Sequence, residues 1–328
     1  MEHLVSVIIP CYNAERYLDM SIGSVFEQDY NSIELIIVND GSTDRSEEII
    51  FSWKKRFEEK GLSLVYVHQE NKGLGGAINT GLKYVSGEYI TLLDADDQFL
   101  QGSIRKRAEY LASHPECSGV RSNGWYVKGE RRWLFITEEK EKNISDLFTA
   151  LSLGQTNNWA GTYMLRTDVF FTVYPDRNIF PSRLGQNLQL LLPVSYKRKV
   201  GYIDEPLTEY FIYDNSHSHA SDLHERKVVE ERNSEGYREI YFKILNMLTT
   251  DTNELELYGN MYNSTFYRRE MRRMLGYKDV KKAKHYYKLL KTTQYCTISD
   301  SIDIYSVTCK PLAIILKVVR KMKNLIKL

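Results

Sequence analysis

The sequence predicts an α/β fold: a mostly parallel sheet with helices on both faces, followed by a helical extension. Three observations carry this. Strand-like and helix-like stretches alternate from residue 4 to about residue 113. The strand stretches are near-continuous apolar runs, as expected where a strand is covered on both faces. From about residue 222 the apolar spacing becomes wholly helical. A chain of 328 residues, 42% hydrophobic and 27% charged, buries a sizeable core and suits one large domain with an appendage. The expected division is residues 1–220 and 221–328.

The elements follow in order. "LVSVII" (4–9) is β-branched and closed by Pro10, and "NAERYLDMSIGSVFEQ" follows as a helix with Asn13 as its N-cap. "IELIIVND" (33–40) is a second buried strand, "STDRSEEIIFSWKKRFEE" a helix opened by Ser, Thr and Asp, and "LSLVYVH" (62–68) a third strand. "GLGGAINTGLKYVSG" (73–87) is a helix stopped by Gly87, and "EYITLL" (88–93) a fourth strand. A helix near 101–113 leads to aromatic-rich strands around "VRSNGWYV", "RRWLFIT" and "WAGTYMLR". Open sheets of this kind bind ligands beyond the carboxyl ends of their strands. Those ends carry "PCYN", "NDGSTD" and "DADD" here, so the three should meet in one crevice.

Formal net charge is +1, yet residues 268–328 hold 16 Lys and Arg against 4 Asp and Glu, so the first 267 residues are acidic. A basic end of this kind meets something anionic. In "KPLAIILKVVRKMKNLIKL" (310–328), Leu312, Ile315, Leu316, Val319, Met322 and Ile326 share one helical face and Lys317, Arg320, Lys321 and Lys327 the other. That pattern suits a helix lying in the headgroup layer of an anionic membrane. Nucleic acid is the weaker alternative, since no reader motif accompanies the charge. Packing on the protein's own body or in a homo-oligomer stays open. Cys11, Cys117, Cys296 and Cys309 are scattered, suggesting neither a zinc site nor a disulfide framework. With no secretory leader and no span-length apolar run, the expected location is cytoplasmic and at most peripheral to the membrane.

Asp94, Asp96 and Asp97 crowd three carboxylates behind the fourth strand. Such a group either binds Mg²⁺ or Mn²⁺, with phosphate as co-ligand, or divides into a helix cap and solvated side chains. Asp40, beside Ser42 and Thr43, has the same double reading: a helix cap, or an acceptor for a nucleobase edge. "GLGGAINTG" is no dinucleotide loop, because it precedes the fourth strand and lacks the Gly-x-Gly-x-x-Gly spacing.

In order and spacing, "VSVIIPCYNAERYL", "LIIVNDGSTDRS" and "ENKGLGGAINTGLKYVSGEYITLLDADD" resemble the N-terminal half of glycosyltransferase family 2, inverting sugar transferases of GT-A fold, as in bacterial surface polysaccharide assembly. The resemblance is close over residues 4–100 and looser to about 220. It implies that Pro10, Tyr12 and Asn13 wall the nucleotide pocket, that Asp40 bonds the base, typically uracil, that Asp94 lies near the ribose and that Asp96 binds Mn²⁺ or Mg²⁺. Asp97 would brace the loop. Gly76 would let backbone approach the nucleotide, and Asn79 matches the family's usual Asn, although Ile78 stands where an Arg is common. The implied partners are a nucleotide-sugar donor, with UDP foremost, and a glycan or polyprenol-linked acceptor.

The family's pattern breaks at the general base. A Glu-Asp pair is expected where "RLGQNLQLLLPV" (183–194) places Gln186 and Asn187. An amide holds a hydroxyl but cannot take its proton. Asp176, Asp204, Glu205, His217 and His219 are the other base candidates, and His217 and His219 also stand as metal ligands. Trp159 and Trp125 are candidate platforms for an acceptor sugar, against the commoner role of Trp in a core. The competing function is a non-catalytic nucleotide- or glycan-binding module on the same scaffold.

Overall fold

The computed structural model describes residues 2–213 and 223–308, with side chains of the second stretch from residue 227. The chain separates into two compact units: residues 1–151 with 156–244, and residues 152–155 with the chain from 245 onward.

In the first unit, β1 (Val5–Cys11), α1 (Leu18–Phe26), β2 (Ile33–Asn39), α2 (Ser46–Lys60), β3 (Ser63–His68), α3 (Gly73–Leu82) and β4 (Tyr89–Leu92) alternate as expected. The first four strands are parallel, in the order β3-β2-β1-β4. Their apolar runs divide by the pleat. Val5, Val7, Ile9, Leu35 and Ile37 pack with Leu18, Ile22, Trp53 and Phe57 of α1 and α2. Ile8, Ile36 and Val38 pack on the other face with Ala77, Ile78 and Leu82 of α3. Covered faces on both sides explain the lack of polar alternation.

The chain continues through β5 (Gln98–Phe99), α4 (Ser103–Ser113), β6 (Cys117–Lys128), β7 (Arg131–Leu134), α5 (Glu139–Lys142) and α6 (Leu147–Ser152). Then come β8 (Tyr163–Arg166), α7 (Thr167–Val173), α8 (Gln186–Ser195) and β9 (Lys199–Phe211). β8 runs antiparallel to both β4 and β6, whereas β6 and β9 pair in parallel. The carboxyl ends of β1, β2, β4, β6 and β9 therefore share one edge of the sheet with the amino end of β8. The opposite end is closed by Glu34. Its carboxylate is buried without a cation and accepts from Ser86 N (2.7 Å), Ser86 Oγ (2.6 Å), Gly87 N (3.1 Å) and Ser6 Oγ.

A helix α9 (Leu223–Leu248) follows, then α10 (Thr252–Gly276), α11 (Val280–Lys291) and α12 (Ile298–Thr308). The helical reading beyond residue 222 thus agrees with the described residues. The boundary expected at 220 lies outside them, and the compact units part within α9, at Ile244 and Leu245. In the second unit Met271, Met274, Ala283, Tyr287 and Ile304 form a small core. Asp300 is sealed beside it, accepting from Arg268 Nε at 2.8 Å and from Thr297 N and Oγ1 at 2.9 Å each. No helix among the described residues is long and apolar enough to cross a membrane. Residues 309–328, with the basic amphipathic pattern, lie outside the described residues.

Candidate nucleotide and sugar site

The site is built where β2, β1 and β4 end side by side. Asp40 is buried directly after β2 and donates its backbone N–H to Cys11 O at 2.8 Å. Its Oδ1 accepts from Lys72 N at 2.8 Å and Gln69 Nε2 at 2.5 Å, while its Oδ2 accepts from no described residue. A carboxylate held by one oxygen and open at the other suits recognition of N–H groups on a base. Asp40 does not cap α2. Asp44 serves that start instead, its Oδ1 accepting from Ser46 N at 3.0 Å.

The loop after β1 lies against this segment. Pro10 is the buried penultimate residue of β1 and is paired with Val38. Tyr12 is half exposed, leaving its ring available at the rim. Asn13 is not a helix cap, contrary to expectation, since α1 begins at Leu18 with Tyr17 before it. It takes a left-handed backbone (φ 50°), which Asn tolerates better than most residues. Its Oδ1 accepts from Thr43 N at 2.8 Å, and its N–H donates to Ser42 Oγ at 3.0 Å. The side chain thus stitches the loop after β1 to the loop after β2.

The α3 glycines answer to packing. A Cβ on Gly75 would meet Ser182 O at 2.5 Å, and one on Gly76 would meet Lys72 Cβ at 2.5 Å. Gly76 therefore serves the site through Lys72, whose backbone N–H binds Asp40. Asn79 is a correction. Its Nδ2 donates to Ile179 O (2.9 Å) and its Oδ1 accepts from Ile179 N (2.8 Å), so the amide clamps neighbouring backbone and has little left for a nucleotide.

At the tip of β4, Asp94 and Asp96 are half-buried and Asp97 is sealed. Among the described residues none of the three makes an ion pair. Burial, then the charge on Asp96, pushes the Asp94 carboxyl up to about 7, and burial raises Asp96 as well. Asp97 stands well above the usual carboxylate range through burial, then through Asp94 and Asp96. It braces the loop: Oδ1 accepts from Phe211 N at the end of β9 (3.0 Å), while Oδ2 is buried without a partner.

Crowded carboxylates lacking a counter-charge fit a divalent cation. No group of three His, Cys, Asp or Glu side chains among the described residues is arranged to hold one. A divalent cation would have to be held here by one or two of these carboxylates, with the rest of its shell supplied by ligand and water.

Sequence reasoning missed the aromatic wall. Tyr210 is pushed up to about 12 by burial and then by Asp97, Asp94 and Asp96, which places it in the field of all three. Tyr213, raised by burial and then by Asp96, packs against Tyr17 with ring centroids 4.4 Å apart and the rings tilted by 36°. Only the folded register brings these rings to the acids.

Gln186 and Asn187 do open a helix, α8, after Gly185 at φ 73°. Gln186 Nε2 donates to Ser182 O (2.7 Å), and Asn187 Oδ1 accepts from the Tyr163 hydroxyl (2.8 Å). Burial and then Asp94 raise Tyr163, which links Asn187 through Tyr163 to the acids. The other base candidates are not brought here. Asp204 pairs with Lys142 (2.9 Å), which holds its carboxyl below the usual range, Glu205 pairs with Lys106, and Asp176 is exposed in the turn after α7. His217 and His219 lie outside the described residues. Trp159 is also a correction: it is 7% exposed and its ring packs on Phe135 (3.9 Å), Tyr126 (4.9 Å) and Tyr210 (5.5 Å), so it is no stacking platform. Trp125 stands under the Arg132 guanidinium at 4.5 Å.

The family model described as "Glycosyl transferase family 2" matches residues 6–170, just over half of the chain and the ends of β1, β2 and β4. The chain belongs to glycosyl transferase family 2. Among curated relatives, "Glycosyltransferase GlyA" of Streptococcus pneumoniae is 43% identical over 112 residues, 33% of this chain and 16% of that protein. "Minor teichoic acid biosynthesis protein GgaB" of Bacillus subtilis is 28% identical over 224 residues, 65% of this chain and 23% of that protein. The matches therefore span a minor part of these relatives.

Staphylococcus aureus TarS 1–349, solved in complex with UDP-GlcNAc, superimposes with a TM-score of 0.65 at 17% identity, covering 94% of this chain and 88% of that one. The mannosyltransferase PcManGT of Pyrobaculum calidifontis, in complex with GDP-Man and Mn²⁺, gives 0.57 at 14% identity, covering 96% and 81%. At these identities the likeness establishes the GT-A fold.

Proposed function

We propose that the chain transfers a sugar from a UDP-linked donor to a glycan or polyprenol-linked acceptor with inversion, aided by Mn²⁺ or Mg²⁺. One observation carries the reading: unpaired carboxylates at the tip of β4 share a sheet edge with a base-facing carboxylate at Asp40. Asp40 Oδ2 would accept from the base, with Tyr12 against its face. Asp96, with Asp94, would hold the cation. When bound, that ion supplies positive charge to a diphosphate as it departs. Asp97 and Phe211 N fix the loop that presents the acids. The names of the neighbours support the choice of ligands, one carrying UDP-GlcNAc and another GDP-Man with Mn²⁺.

Asn187 would orient the acceptor hydroxyl; of the base candidates, His217 and His219 lie outside the described residues. The extension supports a peripheral place at the inner face of the cell membrane. Lys281, Lys284, Lys288 and Lys291 line one side of α11, exposed and without ion pairs among the described residues, ahead of the basic amphipathic segment in the sequence.

The test is a panel of UDP-, GDP- and dTDP-sugars with Mn²⁺, scored for thermal stabilisation and for release of the nucleoside diphosphate with and without acceptor. UDP-sugar stabilisation with turnover is the expected result. Stabilisation without turnover favours the second reading, the non-catalytic module, for which the amide at Asn187 speaks.

A further inference from the structure

The loop entering β8 carries polar atoms that the protein leaves without partners. Asn158 is 6% exposed, yet among the described residues neither its Oδ1 nor its Nδ2 has a hydrogen-bond partner, and the next residue, Trp159, buries its Nε1–H in the same condition. Three unpaired atoms on two adjacent residues are uncommon, because each buried polar atom left unmatched costs stability.

Slack in the loop does not account for them. Trp159 O accepts from Thr162 N (3.2 Å) and Thr162 Oγ1 (2.7 Å), and Gly161 O accepts from the buried Arg107 guanidinium (2.6 Å) and Thr208 Oγ1. Gly161, at φ 83°, would bring a Cβ within 3.3 Å of Leu93, the residue before Asp94. The antiparallel register, Ile90 opposite Leu165, sets residues before Tyr163 alongside those after Leu92. The Trp159 ring in turn packs on Tyr210. A rigid loop with unmet hydrogen bonds therefore borders the acid cluster.

We propose that the Asn158 amide and the Trp159 indole N–H form a hydroxyl-binding pair that reads the sugar. An amide offers one acceptor and two donors and the indole one donor, a set matched by neighbouring sugar hydroxyls, which both donate and accept. No charge stands among these atoms, which points away from phosphate or carboxylate. The inference deepens the transferase reading and rests on it. The hydroxyls belong to the donor sugar or to an acceptor glycan, and the two are separated by experiment.

The experiment compares wild type, Asn158→Leu and Trp159→Phe in their affinity for UDP and for whichever of UDP-glucose, UDP-galactose, UDP-N-acetylglucosamine and GDP-mannose wild type binds most tightly. KM for an acceptor glycan is measured alongside. Affinity for the free nucleotide should stay within about twofold. Affinity for the sugar nucleotide should fall about tenfold in each variant if the donor sugar is read, and acceptor KM should rise about tenfold if the acceptor is read. Deoxy analogues lacking the contacted hydroxyl should lose affinity on wild type and little further on the variants. Asn158→Leu removes unmatched atoms, so its Tm should hold or rise. Trp159→Phe keeps a ring in place should the first variant fail to fold. Variants that retain both donor affinity and acceptor KM would overturn the pair, leaving ordered water as the partner of these atoms. A wild type that binds no sugar nucleotide would instead remove the transferase reading itself.

Discussion

The chain keeps buried acid in two contrasting ways. In the helical unit, Asp300 is sealed, but Arg268 and Thr297 satisfy it and, against the burial that would raise it, hold its carboxyl below the usual range. At the tip of β4, Asp94, Asp96 and Asp97 have no cationic partner among the described residues, and all three are raised. The first arrangement contributes to folding. The second is costly in the free protein and becomes favourable only when positive charge arrives, as at a ligand site.

The sharpest way to break this comparison is to remove one acid from each region. Asp96→Ala should lower metal-dependent transfer by roughly 10²-fold or more, without lowering Tm. Unchanged turnover would take Asp96 out of the site. Asp300→Ala should do the reverse, destabilising the helical unit by about 2 kcal/mol in chemical denaturation because it removes the sealed carboxylate that Arg268 and Thr297 bond. Nucleotide affinity in the folded protein should be unaffected.

A pH series separates the two acids by sign. Asp94 has a raised folded value, so its contribution to stability is present below about pH 4 and is lost as pH rises towards about 7. The metal-free protein should weaken over that window, and Mn²⁺ should raise Tm more at pH 8 than at pH 6, since the cation competes with the proton. Asp300, with a lowered value, contributes above its unfolded value near 3.8 and loses that contribution as pH falls through its folded value. An equal Mn²⁺ effect at both pH values would deny the ion its place among the acids.

Smaller effects refine the picture. Asp40→Asn keeps an oxygen for Lys72 N but removes charge beside the base, and should weaken UDP binding about tenfold by calorimetry. Tyr163→Phe deletes only the bond to Asn187 and should cost about 1 kcal/mol of stability, with acceptor KM raised more than donor KM.

Much of the parallel half was legible because its information is local. Apolar strands covered on both faces read as continuous runs, and carboxylates directly behind them fall at the same sheet edge by topology alone, as Asp40, Asp94 and Asp96 do. Roles set by distant partners were not legible. Asn13 reads as a helix cap until Thr43 is seen beside it, and Asn79 as a nucleotide contact until Ile179 fills both ends of its amide. Trp159 reads as an open platform until three rings close around it. Tyr210 and Asn158 gave no signal at all, because a lone Tyr or Asn in an irregular segment acquires meaning only when β9 and β8 are laid beside β4.

The seam between β4 and β8, where strand direction reverses, has a practical consequence. Asp40, Asp94 and Asp96, proposed for nucleotide and cation, precede it, whereas the proposed hydroxyl-binding pair and Asn187 follow it. Exchanging the stretch from Gln98 to Thr162 with that of a relative offers a route to altered sugar preference with the base pocket left in place, much as a tool holder accepts a new bit.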